Sequence, residues 1–230
     1  MTVRSVLKWP SSALKNVAEP VEEIDDSIIS LARDMKDTMS VEFGMGLAAT
    51  QIGISKSLTV LKGSFHAVSP LKQDPVIDDC IVLVNPEIEI VGDESFKWAE
   101  ACLSVPSIEA EVQRHKNIKL TYTDLSKETH TVELTNQNAG LVQHEVDHLF
   151  GKLFIDRIKG EARRKVLSRL RNSLRAKARS RAKAAKEAKR EARAEAERPR
   201  PGFRSPPTSK HKKASRPPKK YGKNKRRRKK

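Results

Sequence analysis

The 230 residues predict an α+β fold: antiparallel or mixed β-sheets around a central helix, with a C-terminal helix and a disordered basic tail beyond it. Three observations lead there. Short β-rich runs gather between residues 57 and 134. Helical patterns stand on either side of those runs instead of alternating with them, which is the segregated arrangement of α+β chains. From residue 160 onward the composition changes abruptly to Ala, Lys, Arg and Glu.

The first twenty residues end in Glu19-Pro20 and read as extended chain with turns. Asp25 or Asp26 caps a helix in which Ile28, Leu31, Met35 and Met39 recur at spacings of three and four, the stripe a helix turns to a core. Ser57–Lys62 and Cys80–Val84 are β-rich runs. The two prolines and polar breaks of Gly63–Asp79 make the segment between them a loop. Asn85-Pro86 is expected to stop the second run. Ile88–Val91, Ile118–Thr123 and Thr129–Leu134 add strands, the last by its alternation after Asp124-Leu125-Ser126. A second long helix is expected from about Asn138 to Leu149, ending at Gly151.

Glu161 to Arg198 contains no Gly or Pro, a composition that favours helix strongly. Val166, Leu170 and Leu174 can dock one stripe of it on the preceding domain; beyond Leu174 the helix offers only alanine to bury. After Pro199 the chain is rich in Pro, Lys and Arg and is expected to be disordered. Three regions follow: a catalytic domain over 1–160, a basic helix over 161–198 and a tail over 199–230.

Charge is split along the chain. Residues 1–159 hold 16 Lys+Arg against 24 Asp+Glu, whereas residues 160–230 hold 30 against 5. An acidic domain therefore carries a strongly cationic extension, which argues for a polyanionic partner and says nothing about fold. Two cysteines, Cys80 and Cys102, are too few for a disulfide framework, and no apolar run is long enough to span a membrane. A reduced, cytoplasmic protein with no membrane contact is the expectation.

Gln143-His144-Glu145-Val146-Asp147-His148 concentrates the chemistry. Residues four apart share a helix face, so His144 and His148 can aim two imidazoles at one metal. Glu145, beside the first of them, can reach a reacting water without itself holding the metal. A tetrahedral catalytic metal then needs one more protein ligand. Downstream, His148-Leu149-Phe150-Gly151-Lys152-Leu153-Phe154 follows the pattern H-x-x-G-x-x-H only as far as the glycine, and Phe154 stands in the third position. Upstream, Glu100-Ala101-Cys102-Leu103-Ser104 offers Cys102, whose thiolate suits a soft, charged ligand. A small buried hydrophobe is the commoner fate of a free cysteine. Gly44-Met45-Gly46-Leu47-Ala48-Ala49-Thr50-Gln51 supplies small residues that permit close backbone approach, and Gln51 supplies an amide donor for a developing oxyanion. A tight turn without function fits the same residues.

Together these three stretches resemble the peptide deformylase family, whose pattern is G-φ-G-φ-A-A-x-Q, then E-G-C-φ-S, then Q-H-E-x-D-H-L-x-G. The resemblance covers roughly residues 3–175 and runs also through Ala18-Glu19-Pro20-Val21, Asn85-Pro86 and Gly151–Phe154. It implies a hydrolase that removes the formyl group from the N-terminal formylmethionine of nascent polypeptides and releases formate. By the same resemblance Cys102, His144 and His148 hold one divalent metal, typically Fe(II), with Zn(II), Ni(II) or Co(II) able to replace it. Glu145 takes the water proton and returns it to the new amine; Gln51 and the Leu103 backbone N–H hold the oxyanion. Gly44, Gly46 and Ser104 become backbone on the substrate side. Leu141, one turn before the first histidine, fits either a methionine pocket or the core.

One position departs from the family pattern: Ala101 stands where glycine is usual, which is harmless only if its φ is negative. Asp147 faces away from the metal side and reads as a group behind the ligands or on the helix surface. An ion pair between Glu100 and Arg114 fits their shared presence in family segments. His66, His115, His130 and His211 match no ligand spacing and read as surface residues. A zinc peptidase is the first alternative, separated by the missing downstream ligand. An inactive, deformylase-like protein that binds RNA or the ribosome is the second, separated by the intact ligand set. The tail's charge comes with only two aromatic residues, Phe203 and Tyr221, which suits phosphate contacts without base stacking. Because the implied substrate is a nascent chain, the ribosome and its rRNA are the expected polyanion, with free RNA or DNA the alternative.

Overall fold

The computed structural model describes residues 2–64 and 70–197; His66, His211 and the tail over 199–230 lie outside the described residues. Two compact units are present, Met1–Ser180 and Arg181–Lys230. In the second, the described residues are helical through Ala196 and all exposed.

In chain order the elements are α1 (Asp26–Val41), β1 (Gly46–Ala48), β2 (Leu58–Lys62), β3 (Cys80–Ile90), β4 (Ser95–Cys102), β5 (Val105–His115), β6 (Asn117–Thr123), β7 (Thr129–Thr135), α2 (Asn136–Leu149), α3 (Phe154–Arg157) and α4 (Gly160–Ala196). Among the described residues the strands form one five-stranded sheet, ordered β1-β2-β3-β6-β7, and one two-stranded sheet, β4-β5. Every named pair is antiparallel. The α+β reading holds.

The larger sheet is buried on both faces through its centre, which is why Cys80–Val84 is one continuous apolar run. Val60, Val82 and Val84 face α1, packing with Ile28, Leu31, Met35 and Met39. Their neighbours Leu61, Ile81 and Leu83 point the other way, onto Ile118, Leu120, Leu134, Val142 and Val146. The two-residue period of a strand thus feeds two core layers at once. A third layer joins Cys102, Val105 and Val112 of the small sheet to Phe154, Ile155, Val166 and Leu170. Helix α2 touches strands of both sheets, and Ala139 to Leu149 are buried without interruption.

Helix α1 begins where its sequence says, at the cap Asp25, whose carboxylate accepts from the Ser27 and Ile28 backbone N–H groups at 2.9 and 3.1 Å. Three expectations are revised. Asn85-Pro86 does not stop the second strand: Asn85 takes φ 48° and the pair makes a bulge between Val84 and Glu87, so β3 continues to Ile90. The hairpin β4–β5 and the short β1 were not legible as strands. Leu174 is only half-buried, so the docked stripe of α4 consists of Val166 and Leu170.

Gly151 ends the α2 turn at φ 64°, where an added Cβ would lie 2.3 Å from the Lys15 carbonyl oxygen. Only glycine serves both conditions. The chain after the histidine helix can therefore pass close under the N-terminal segment, and Ala18 N–H donates to the Leu149 carbonyl at 2.7 Å.

Candidate metal centre and active site

Helix periodicity brings His144 and His148 together on α2, with ring centroids 4.9 Å apart and planes at 87°. Cys102, the last residue of β4, reaches the same point, its Sγ 3.3 Å from His148 Nε2. One ligand atom from each of the three lies within 4.8 Å of the other two, and all three residues are buried. The only other such cluster among the described residues is Asp124, Glu128 and His130. There the Asp124 carboxylate also accepts from the Ser126 and Glu128 N–H groups and so closes its own turn. His130 is half-buried on Asp124 Oδ2 at 2.6 Å, unlike the exposed His115.

The small sheet aims Cys102. Its two strands are joined by the two-residue turn Leu103-Ser104, and their register slips between Ala101 and Cys102. Ala101 is not among the residues with positive φ, so its methyl group adds no backbone strain where the family pattern has glycine. Ser104 is fully buried. Its Oγ accepts from Gln51 Nε2 at 3.1 Å, and the same amide nitrogen lies 3.5 Å from Cys102 Sγ. Gln51 is fixed at its other end, Oε1 accepting from Ala48 N–H at 2.8 Å. The Leu103 carbonyl accepts from Lys8 Nζ at 3.0 Å, anchoring the turn from its far side.

Behind the histidines runs a chain of alternating charges that sequence reading found only in part. His144 Nδ1 meets Glu100 Oε2 at 2.6 Å, leaving Nε2 for the metal side. Glu100 receives two bonds from Arg114, at 2.7 and 3.0 Å, and one from Trp98 Nε1 at 2.9 Å. Arg114 Nη1 donates to Asp147 Oδ2 at 2.5 Å, and Arg157 grips the same carboxylate from outside. Asp147 is thus buried in this charge chain and lies outside the cluster of Cys102, His144 and His148. Burial alone would raise the Glu100 pKa, but the bonds from His144 and Arg114 outweigh it and hold it at about 2. An ionised Glu100 fixes the tautomer and ring angle of His144, the usual task of a carboxylate behind a ligating histidine. Phe154, where a third histidine would stand in other hydrolases, stacks on His144 with centroids 6.1 Å apart.

Glu145 stands beside this cluster, 3% exposed, and its Oε2 has no hydrogen-bond partner. Burial pushes its pKa up to about 7. An unpaired carboxylate oxygen in the interior is costly unless something else is meant to meet it. Gly46 makes the space: a Cβ there would fall 2.3 Å from Glu145 Oε1 and 2.8 Å from its Cγ. Gly44 gives similar room to Leu103, whose Cδ1 would be 2.9 Å from an added Cβ. Burial, then the nearby His144, push His148 below its ordinary range, whereas at His144 burial is outweighed by the bonds to Cys102 and Glu100, which push it above its own.

One cavity of about 690 Å³ has walls that include Gly44, Gly46, Gln51, Cys102, Leu103, Leu141, His144 and Glu145; Ser104 and His148 lie outside its lining. Leu141 belongs to the core and to the cavity wall together. A larger hollow of about 900 Å³, lined by Lys97, Phe150, Arg157 and Lys159 among others, contains none of the three ligand residues. Both cysteines are free and buried. The donor set, one thiolate and two imidazoles around a shared point next to an unpaired carboxylate, fits a single divalent metal with a position left for a reactant.

Comparison with known proteins agrees with this site. The family model described as polypeptide deformylase matches residues 3–164. The peptide deformylase of Aquifex aeolicus is 40% identical over 169 residues, 73% of this chain and 94% of that protein. That of Bartonella tribocorum is 37% identical over 171 residues, 74% of this chain and 93% of its own. Among solved structures, a peptide deformylase from Legionella pneumophila superposes with a TM-score of 0.65 at 34% identity, covering 77% of this chain and 99% of its own. One from Synechococcus elongatus, in complex with actinonin, gives 0.62 at 30% identity, covering 72% and 85%. The chain belongs to the polypeptide deformylase family.

Proposed function

We propose that this chain hydrolyses the formyl amide of N-terminal formylmethionine on nascent polypeptides, releasing formate, and that Cys102, His144 and His148 hold its one divalent metal. The observation that carries the assignment is the cluster of three ligand atoms within 4.8 Å, with the unpaired Glu145 oxygen beside it. An ion held there supplies Lewis acidity toward the formyl carbonyl and toward water. Glu145 takes the proton of the attacking water as the new C–O bond forms, and gives it to the nitrogen as the C–N bond breaks. A carboxylate whose pKa lies near neutrality serves both steps. The amide of Gln51 and the backbone N–H of Leu103 receive the negative charge that develops on the formyl oxygen. Gly44, Gly46 and Ser104 flank the peptide backbone, and Leu141 borders the methionine side chain. Formate release from a formyl-Met dipeptide, with no cleavage of an unblocked peptide, tests this reading against a peptidase.

Fe(II) is the metal we assign, with Zn(II), Ni(II) and Co(II) as working substitutes. A thiolate beside a redox-active ion is open to oxidation, whereas Zn(II) cannot change its oxidation state. Protein reconstituted with Fe(II) is expected to lose activity in air faster than the Ni(II) or Zn(II) forms. Equal rates for all three would remove Cys102 or iron from the assignment.

We further assign the basic extension to binding the ribosome through rRNA, and the whole chain to the cytoplasm. The charge split supports this, since an acidic domain alone would be repelled by the same polyanion. Among the described residues no helix is long and apolar enough to cross a membrane. Truncation after Arg175 is expected to leave turnover of a small formyl-Met peptide within a few-fold and to weaken ribosome binding sharply. For the full chain that binding should fall steeply with salt, because each neutralised phosphate releases counterions. Salt-insensitive binding, or undiminished association of the truncated protein, would make the tail a passive extension.

A further inference from the structure

The rim of the active-site cavity carries a residue that the chain places at a double disadvantage. Helix α1 ends at Val41 with Gly44 N–H donating to the Met39 carbonyl at 2.9 Å, five residues back, as in a Schellman closure. That closure needs one left-handed residue, usually glycine or asparagine. Here it is Phe43, at φ 57° and 96% exposed. A bulky side chain in the left-handed region costs free energy. Leaving its ring in water forgoes the gain from burying it. Among the described residues no neighbour buries the ring. Strain of this kind points outward, to something the side chain meets.

What lies next to it names the occupant. Phe43 lines the same cavity as Cys102, His144 and Glu145, together with Met45, itself 47% exposed, and the half-buried Pro106 and Ile108. Gly46, three residues on, is in contact range of Glu145. Three residues of chain span at most about 11 Å, so the Phe43 backbone stands within that distance of Gly46, the residue against which Glu145 lies. An extended peptide advances about 3.3 Å per residue, which brings the first residues after methionine to the same lip.

We propose that Phe43, with Met45 and Ile108, is a specificity-determining lip that favours substrates with an apolar side chain in the first two positions after formylmethionine. This rests on the deformylase reading above.

The test uses the metal-loaded full chain and its Phe43→Asn variant on formyl-Met-X-Ala and formyl-Met-Ala-X peptides, with X as Phe, Leu, Ser or Asp. The unaltered chain is expected to prefer Phe or Leu over Ser by about five-fold or more in kcat/KM at one of the two positions, carried mainly by KM. Asparagine tolerates the left-handed conformation, so the variant should melt no lower than the original while that preference falls toward one. A variant that keeps the preference, or that loses turnover equally on every peptide together with its melting temperature, would show Phe43 to be structural only and overturn the proposal. Formate release from none of the peptides by the unaltered chain would instead refute the deformylase reading itself.

Discussion

Glu145→Ala, purified with its metal, is expected to keep full metal occupancy and lose about 10³-fold in turnover of a formyl-Met peptide, within the range found for general acid–base groups. The two halves of this expectation test different things. Retained metal says that Glu145 is not a ligand, as the separate cluster of Cys102, His144 and His148 implies. Lost turnover says that its unpaired oxygen is the one that handles the proton. Elemental analysis and formate release on the same sample decide both. A variant that loses its metal, or that keeps its rate, would reverse the assignment.

Gly46→Ala should be almost as damaging although it removes no functional group. The added methyl would sit 2.3 Å from Glu145 Oε1, 2.5 Å from its Cδ and 2.8 Å from its Cγ, so the buried side chain must shift to make room. A displacement of about 1 Å of a group in the reacting geometry is worth about 10²-fold in rate. We expect a loss of about that size, with fold and metal retained. The double variant separates this cause from any other. Once Glu145 is alanine, the clash is gone, and Gly46→Ala should add almost nothing. Independent, multiplying losses would mean that Gly46 acts on substrate and not through Glu145.

Much of the candidate site was legible because the residues that the fold brings together sit in short, rigidly spaced motifs. The i, i+4 histidines, the adjacent glutamate and the G-x-G stretch carry their meaning locally, and the helix and turn around them obey the same local rules. Cys102 was harder. Its own segment suits a small buried hydrophobe as well as a ligand, and only the resemblance of three motifs taken together singled it out; the structure sets its Sγ beside His148.

The strand that delivers Cys102 went unrecognised for a physical reason. Along Ser95–Cys102 the inward positions are Phe96, Trp98, Glu100 and Cys102; along Val105–His115 they are Ile108, Ala110, Val112 and Arg114. The first alternating apolar pattern is broken by Glu100 before it reaches Cys102, and the second ends on Arg114. Those two charges, Glu100 and Arg114, are the buried pair behind His144. The residues that spoil the strand signal are the ones that support the metal ligand, as expected where function overrides local pattern. Asn85-Pro86 misled differently. A proline-containing pair usually ends a strand, but at a bulge the missing N–H is no loss. The supporting role of Arg157, which closes on Asp147 from ten residues downstream, had no sequence signal at all.

The most direct test titrates metal-free protein with Fe(II) under anaerobic conditions while formate release from a formyl-Met peptide is followed. Activity should rise linearly and break at one metal per chain, and Cys102→Ala should show neither tight metal binding nor formate release. Formate release that is independent of added metal, or a Cys102→Ala protein that still binds one metal per chain and works at the original rate, would contradict the account.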